Sequence, residues 1–468
     1  MVALGSAGSA IAQTNYQQLA SFGSTNSLGS NPVAPLVLGA DGALIGVCAA
    51  GGASGLGGVF RVGTNGETHG MWHSFGRLVR DRSKSLAGVV IGPDGSIFGT
   101  TQAGGSGGSG SVFKIDTNGL FQIVHEFGTI PGDGGNVVSG ITVGMDGILF
   151  GTTASGGRFN SGTIYKLRPD GNGYAILHSF GDGTLDGLAP LAAPLLGRDG
   201  FLYGTTIDGG EFNQFAGTIY RIMPDGSGYQ VLHSFSFGDG YNPQAGLAQA
   251  ADGALYGVTS YGGGFDGGLL FRFSLGDTNY SPVFSFERGS GGKIGANVQP
   301  SGVVTSPDGW LYGTTAYGGI TSAMATNGLG TVFKLGTNGA NYTVLRQFSG
   351  PDGRNPSGAP LLAPDGTLYA TTQFGGRLDQ GTVFKLGAQA FETVAAIDTS
   401  PSSDGFHILF SGAPQQVYIF ETTSNLGSID NWQALSTATS DLNGLVEFND
   451  PGATNQPSRL YRVSLPFR

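Results

Sequence analysis

The chain has 468 residues, 87 of them glycine, and although only 12% are charged, 39% are hydrophobic and 10% aromatic. That mixture argues against a disordered chain, which lacks the apolar residues to collapse, and against a collagen-like one. A formal charge of −10 argues against a nucleic-acid binder, which needs a basic footprint to displace counterions from phosphates, and means that an anionic polysaccharide would require a local basic patch.

In chain order, the N-terminus "MVALGSAGSAIAQTN" carries a small apolar run and an A-x-A pattern at Ala10 and Ala12. It resembles the end of a secretory signal without its basic n-region, so residues 1–14 are expected to be a signal remnant or disordered, and the protein secreted or held at the cell surface. No apolar run of about 18 residues occurs, so no transmembrane helix is expected. The single cysteine, Cys48, excludes an internal disulfide and a cysteine-rich zinc site.

From residue 41 the chain repeats. Asp-Gly turns begin at Asp41, Asp94, Asp146, Asp199, Asp252, Asp308 and Asp365, at spacings of 53, 52, 53, 53, 56 and 57 residues. A period of this size signals stacked supersecondary units, and each unit here contains four short strands. In copy four they cover 191–197, 201–206, 217–222 and 229–235, with Asp-Gly turns after the first and third. Both faces of these strands are apolar or small, as a sheet needs when it is packed between two neighbours, and helical spacing is absent throughout. The fold expected over residues 15–390 is therefore an all-β, seven-bladed β-propeller.

Ring closure is also legible. Copies one to six end in "MWHSF", "IVHEF", "ILHSF", "VLHSF", "PVFSF" and "VLRQF", whereas copy seven runs into "FETVAAI", a poor match. The N-terminal "NYQQLASFG" fits well and has no first three strands of its own, so residues 15–22 are expected to complete blade seven and remove the open sheet edges.

The pattern DG-x-LYGTT-x-x-GG, then GTVFKL, then L-x-x-F, resembles the tandem GloVer-type repeat of bacterial extracellular proteins over roughly residues 15–388. The resemblance implies export and a propeller, and it brings no catalytic residues to transfer. The ending "YRVSLPFR" has neither a hydrophobic tail nor a sorting motif, a departure from anchored members that implies a released or otherwise held protein. From residue 391 the repeat stops and strand-like alternation resumes, similar to the small β-sandwich found at the C-terminus of many exported bacterial proteins. Trp432 and Tyr461 are expected in its core; a structural cap, a sorting module and a glycan-binding domain all remain open for it.

A residue present at one position in every blade most simply serves the blade. Arg61, Lys114, Lys166, Arg221, Arg272, Lys334 and Lys385 follow the aromatic residue of strand three and are expected to lay their stems along the sheet or to pair with repeated acids. His73, His125, His178 and His233 share one position in strand four and sit one per blade, so packing is expected rather than convergence on a metal. Cys48 stands for the second threonine of YGTT as a small buried residue. Gly104–Gly108 fits G-x-S-x-G, but no helix follows it, as a nucleophile elbow requires. The D-G-x-N segments starting at Asp133, Asp239 and Asp352 offer oxygens of the kind Ca²⁺ uses, although an Asx-type turn accounts for them without an ion, and no cofactor is otherwise implied.

Length variation falls on one face, where strand two joins strand three and blade joins blade, including the long 318–330 loop and the links 76–84 and 287–298. Function usually sits on variable loops held by a rigid scaffold. The residue before each Gly-Gly pair is Ala50, Ala103, Ser155 and Asp208 in blades one to four, then Tyr261, Tyr317 and Phe374 in blades five to seven. These three aromatics form a sugar-stacking platform or merely cover larger loops, and Arg354 lies in a nearby blade link. Asp208, Glu211, Asp266, Arg377 and Asp379 are the only acid/base candidates of the same loops. The expectation is a non-catalytic module for a glycan or protein ligand; the rival is a polysaccharide lyase or glycoside hydrolase, with Asp208 and Glu211, or Arg377 and Asp379, converging in one pocket. A structural component of an extracellular assembly would show neither platform nor pocket.

Overall fold

Each repeat starts where the chain is forced to reverse. The glycines after Asp41, Asp94, Asp146, Asp199, Asp252, Asp308 and Asp365 all have φ between +76° and +84°, a region that glycine enters without strain. In six of these seven turns the aspartate Oδ1 accepts the N–H two residues on, as from Ala254 to Asp252 at 3.0 Å. The computed structural model describes residues 16–23, 28–76, 84–211, 216–264, 266–287, 302–319, 328–387, 398–402, 405–411, 417–423, 433–439, 445–450 and 460–464. Among these residues every regular element is a strand.

The turns generate antiparallel four-stranded blades. In blade four, Leu195–Leu196, Leu202–Thr206, Thr218–Ile222 and Gln230–Ser234 are hydrogen-bonded in that order, and six further sheets follow the same plan. Strand two alternates so that Leu202 packs toward blade three while Tyr203 packs toward blade five. The glycine between Tyr203 and Thr205 is required by close approach: a Cβ on Gly204 would lie 2.3 Å from the Tyr220 hydroxyl, because that ring lies across the opposite strand.

The two threonines of each YGTT have separate tasks. Thr205 Oγ1 donates to Ala245 O of blade five at 3.1 Å, and the corresponding Thr100, Thr152, Thr314 and Thr371 likewise reach carbonyls of the next blade. Thr206 Oγ1 instead meets Thr218 Oγ1 inside its own blade at 2.8 Å. Cys48 takes the second position in blade one, fully buried, with its sulfur facing the carbonyls of Leu28 and Gly58, and burial pushes its thiol up to about 11. Thr205→Val keeps shape and removes one inter-blade bond, so it is expected to lower stability by about 1 kcal/mol, read as a lower urea midpoint at unchanged slope.

Burial divides into seven apolar clusters, each bridging one pair of neighbouring blades, from blades one and two around to blades seven and one. Seven interfaces for seven blades make a closed ring. The last of them depends on the N-terminus: Tyr16–Ser21 pairs antiparallel with Thr382–Leu386, from Tyr16 opposite Leu386 to Ser21 opposite Thr382. Leu19, Ala20 and Phe22 then pack with Phe60 and Val62 of blade one, which is the closure the sequence predicts.

The repeated side chains do what repetition suggests. Arg61 pairs with Asp41, Lys114 with Asp94 at 2.9 Å and Arg272 with Asp252 at 3.1 Å, while Lys166 and Lys385 donate to Pro224 O and Thr64 O on adjacent blades. Arg221 and Lys334 lie over the rings of Phe201 and Trp310. The strand-four histidines stack on the aromatic residue that enters strand four of the next blade: His73 on Phe121 at 3.9 Å, His125 on Tyr174 at 3.8 Å, His178 on Tyr229 at 3.5 Å and His233 on Tyr280 at 4.2 Å.

Contacts divide the chain into a first unit, Met1–Ser306 with Trp310–Gln389, and a second, Ala390–Arg468 with Pro307–Gly309. The second unit holds two three-stranded antiparallel sheets, Asp398–Ser402, Gly405–Ser411 and Leu445–Asp450 in one, Gln433–Thr439, Val417–Thr423 and Leu460–Ser464 in the other. Tyr461 falls in the last of these strands; Trp432 lies outside the described residues.

Candidate functional site

In blades one, three, four, five and seven the link that arrives from the preceding blade pairs with the end of strand two. This gives Ser30 opposite Ala50 in blade one, Gly135 opposite Ser155 in blade three and Leu188 opposite Asp208 in blade four. Tyr241 faces Tyr261 in blade five and Arg354 faces Phe374 in blade seven. The Gly-Gly pair that follows admits the link: Gly209 has φ +88°, and a Cβ there would lie 2.4 Å from Asp186 O.

The links themselves are clamped by acids. Asp186, its side chain only 4% exposed, accepts from His178 Nε2 at 3.1 Å, from the N–H groups of Gly181, Asp182 and Gly187 at 2.8, 3.0 and 2.8 Å, and from the Tyr229 hydroxyl. Burial pushes this carboxyl up, but the bonds from His178, Tyr229 and the Asp182 N–H outweigh it and hold the group below its ordinary 3.8. Asp133 and Asp239 are also held low against the opposing effect of burial; His233 Nε2 reaches Asp239 at 3.0 Å as His178 reaches Asp186, whereas His125 Nε2 stands 3.8 Å from Asp133. Asp352 uses Arg346 instead, which lies over the Tyr16 ring at 4.2 Å. Oxygens that accept N–H and O–H bonds direct their lone pairs at donors, so these D-G-x-N acids act as loop clamps rather than as the Ca²⁺ ligands they resemble in sequence. Asn136, Asn242 and Asn355, with φ of 53°, 58° and 51°, supply the left-handed residue of the turn.

The variable face thus carries homologous cross-strand pairs in five of its blades, and it is lopsided. Blades one to three present Ser30, Ala50, Ala103, Gly135 and Ser155; blades four to seven present Leu188, Asp208, Tyr241, Tyr261, Tyr317, Arg354 and Phe374. Tyr261 stacks on Tyr241 with centroids 5.3 Å apart, and Phe237 meets Tyr241 edge-on at 4.8 Å. Phe237, at the tip of the link, is 56% exposed. Tyr317 holds the equivalent position in blade six, where its carbonyl accepts from Thr315 Oγ1 at 2.7 Å.

Arg354 lies over the Phe374 ring at 4.5 Å and forks onto Asp379, Nε to Oδ1 at 2.9 Å and NH2 to Oδ2 at 2.7 Å. The guanidinium holds the Asp379 carboxyl low, and the carboxylate in turn raises Arg354. The pairing of Arg377 with Asp379 that their spacing suggests does not form: Arg354 reaches Asp379 from the link, while Arg377 is exposed and its N–H donates to Ser21 Oγ at 3.0 Å. Asp379 and Asp266 also do a local job, accepting the N–H of Gly375 at 2.9 Å and of Gly262 at 3.0 Å, as Asn160 does for Gly156. Asp208 is half-buried, accepts no hydrogen bond on its carboxyl among the described residues, and is raised by burial. Glu211 is exposed three residues on, beside residues 212–215, which lie outside the described ones. Most of the long 318–330 loop and of the links 76–84 and 287–298 also lies outside them.

Two other features of the sequence have structural explanations. Ser106 of the G-x-S-x-G run donates to Glu126 Oε2 at 2.9 Å within a loop. On the turn face, a groove of about 640 Å³ lined by Asp41, Arg61, His69 and Trp72 contains the Arg61–Asp41 pair, with the guanidinium over Trp72 at 4.6 Å.

Phe237 and Tyr241 were missed by sequence reasoning, although a signal exists. The third residue of D-G-x-N is the cross-strand partner of the residue before Gly-Gly, and it is Gly135, Tyr241 and Arg354 in the three motifs.

The Gloeobacter/Verrucomicrobia repeat family matches residues 8–144, 138–323 and 217–435. A search of curated proteins found no match. Among solved structures, oligogalacturonate lyase from Vibrio parahaemolyticus is similar with TM-score 0.50 at 13% identity, covering 81% of this chain and 94% of that one. The extracellular domain of BT4673 from B. thetaiotaomicron, described as a hybrid two component system, gives TM-score 0.53 at 12% identity over 97% of this chain and 59% of that one. At such identities the likeness is one of fold alone.

Proposed function

We propose that this chain, which belongs to the Gloeobacter/Verrucomicrobia repeat family, is a secreted or cell-surface, non-catalytic module that binds a glycan through the variable face of blades four to seven. The observation that carries the proposal is the lopsided ring. Equivalent positions are small in blades one to three, and aromatic in three successive blades, at Tyr261, Tyr317 and Phe374. A scaffold that needed only packing would have no reason to favour one side. Aromatic rings with an apolar face and, in tyrosine, a hydroxyl suit a sugar, whose C–H face is apolar and whose rim is polar.

The acid/base candidates support binding more than turnover. Arg354 and Asp379 neutralise each other, Asp266 caps its own loop, and Asp208 lacks a charged partner among the described residues. General acid/base work needs a group free to reach the proton it transfers on a bound substrate.

A glycan array with wild type beside Tyr261→Ala/Tyr317→Ala, followed by product analysis on each retained glycan, tests the proposal. Binding at least about tenfold weaker in the double variant, with no product, is the expected result. New reducing ends or unsaturated products would replace it with a polysaccharide-degrading enzyme, and no retained glycan at all would redirect the search to a protein ligand.

A further inference from the structure

We infer that the glycan is a neutral one and that it docks at Phe237, Tyr241 and Tyr261, where the link from blade four enters blade five; this rests on the glycan reading above and specifies it. The three rings are fixed before any ligand arrives. Tyr241 and Tyr261 exchange backbone hydrogen bonds at 3.1 and 3.3 Å, and their rings are inclined by only 22°. Phe237 stands at 81° to the Tyr241 ring, so the three form an angled shelf rather than a flat plate. The short loop carrying Phe237 is braced by Asp239, which accepts from Ser236 N at 2.6 Å, Ser236 Oγ at 2.8 Å and His233 Nε2 at 3.0 Å. Rings held in place in this way lose little conformational freedom on binding.

Aromatic character sets Phe237 apart among the exposed link tips. Ile130 and Leu185 occupy the tips of the two preceding links and are also exposed, at 52% and 60%, but both are aliphatic. Phe237 is the aromatic tip, and it adjoins the paired tyrosines. Its ring meets Tyr241 edge-on and is otherwise largely exposed.

Charge then selects among sugars. Between Arg221 and Arg272 the sequence has no lysine or arginine, while Asp208, Glu211, Asp239, Asp266 and Glu287 belong to the loops and links of blades four and five. Asp266 and Glu287 are directly opposite across a strand pair. A uronate or sulfated chain would meet like charge here and, among the described residues of these loops, no lysine or arginine to pair with; Arg288 and Lys293 of the following link lie outside them. The guanidinium nearest in kind, Arg354 of blade seven, is occupied by both oxygens of Asp379. A neutral chain loses nothing to this field and presents its C–H faces to the rings.

The test uses the full chain against an array holding neutral, uronate and sulfated glycans, with wild type, Phe237→Ala and Tyr317→Ala. Retention of neutral chains, weakened at least about tenfold by Phe237→Ala with an unchanged melting temperature, is the expected outcome. Retention of acidic chains alone overturns the inference and leaves the glycan proposal standing. So does neutral binding that Phe237→Ala leaves intact and Tyr317→Ala removes. Absence of any retained glycan overturns both.

Discussion

Phe22→Ala is expected to cost about 3–5 kcal/mol of unfolding free energy, as much as Phe180→Ala in the middle of the chain. Residues so close to a terminus ordinarily tolerate change, because terminal segments fray unless they are tied down. Here the tie is extensive. Phe22 is fully buried, its ring meets Phe60 of blade one edge-on at 4.9 Å, and its N–H donates to Gly381 O of blade seven at 2.9 Å. It occupies the place that Phe75, Phe127, Phe180, Phe235, Phe286 and Phe348 take after strand four elsewhere, all of them fully buried. Truncating the ring leaves a cavity at the one interface where first and last blades meet. Chemical denaturation of the two variants side by side is the check: equal losses mean that the N-terminal strand is an integral part of blade seven, and a near-neutral Phe22→Ala means that the ring closes by some other means.

Asp186→Ala is expected to be of similar size, about 3–5 kcal/mol, through a different mechanism. The carboxylate satisfies a histidine, a tyrosine hydroxyl and three backbone N–H groups in a site almost closed to water. Its removal strands several buried donors at once. The same contacts set a pH dependence. Because Asp186, Asp133 and Asp239 are held below their ordinary 3.8 in the folded state, the charged forms are favoured there. Their stabilisation is present in full above the unfolded value, near 3.9, and is lost as pH falls through the lowered folded values. Far-ultraviolet circular dichroism against pH is expected to show acid unfolding confined to the region below about pH 4. Asp186→Asn, which carries no such charge, is expected to be less stable at neutral pH and to lose less on acidification. A wild type that unfolds while these acids are still ionised would place its acid lability in other groups.

The scaffold was readable because each repeated residue answers a need that recurs in every blade. Asp-Gly marks a turn that only glycine enters freely, the first threonine of YGTT ties one blade to the next, and a basic residue after the strand-three aromatic covers a half-buried ring or meets the turn aspartate. The closing strand was readable for the same reason, since "LASF" matches the other six fourth strands in place and residue type. The site was half readable. Tyr261, Tyr317 and Phe374 stand out as departures from a pattern, and the residue before Gly-Gly is where the variable face differs most. Their partners stand 20 residues earlier in every pair described, Ser30–Ala50, Gly135–Ser155, Leu188–Asp208, Tyr241–Tyr261 and Arg354–Phe374, an offset that carries meaning only once the blade link is known to pair with strand two. Hence Tyr241 was missed, and Arg354 was singled out without its fork to Asp379. The cation that reaches Asp379 is Arg354, 25 residues away, and not Arg377, which is nearer in sequence.

Hydrogen exchange of the intact chain, with and without a neutral glycan retained on the array, tests the central claim most directly. The account predicts slowed exchange in segments 236–242 and 259–264, with lesser changes at 317–319 and 374–379, and none in the Asp-Gly turns of the opposite face. Slowing centred on segments 41–43 and 61–72 around the turn-face groove, or spread evenly over the loops of all seven blades, would contradict it.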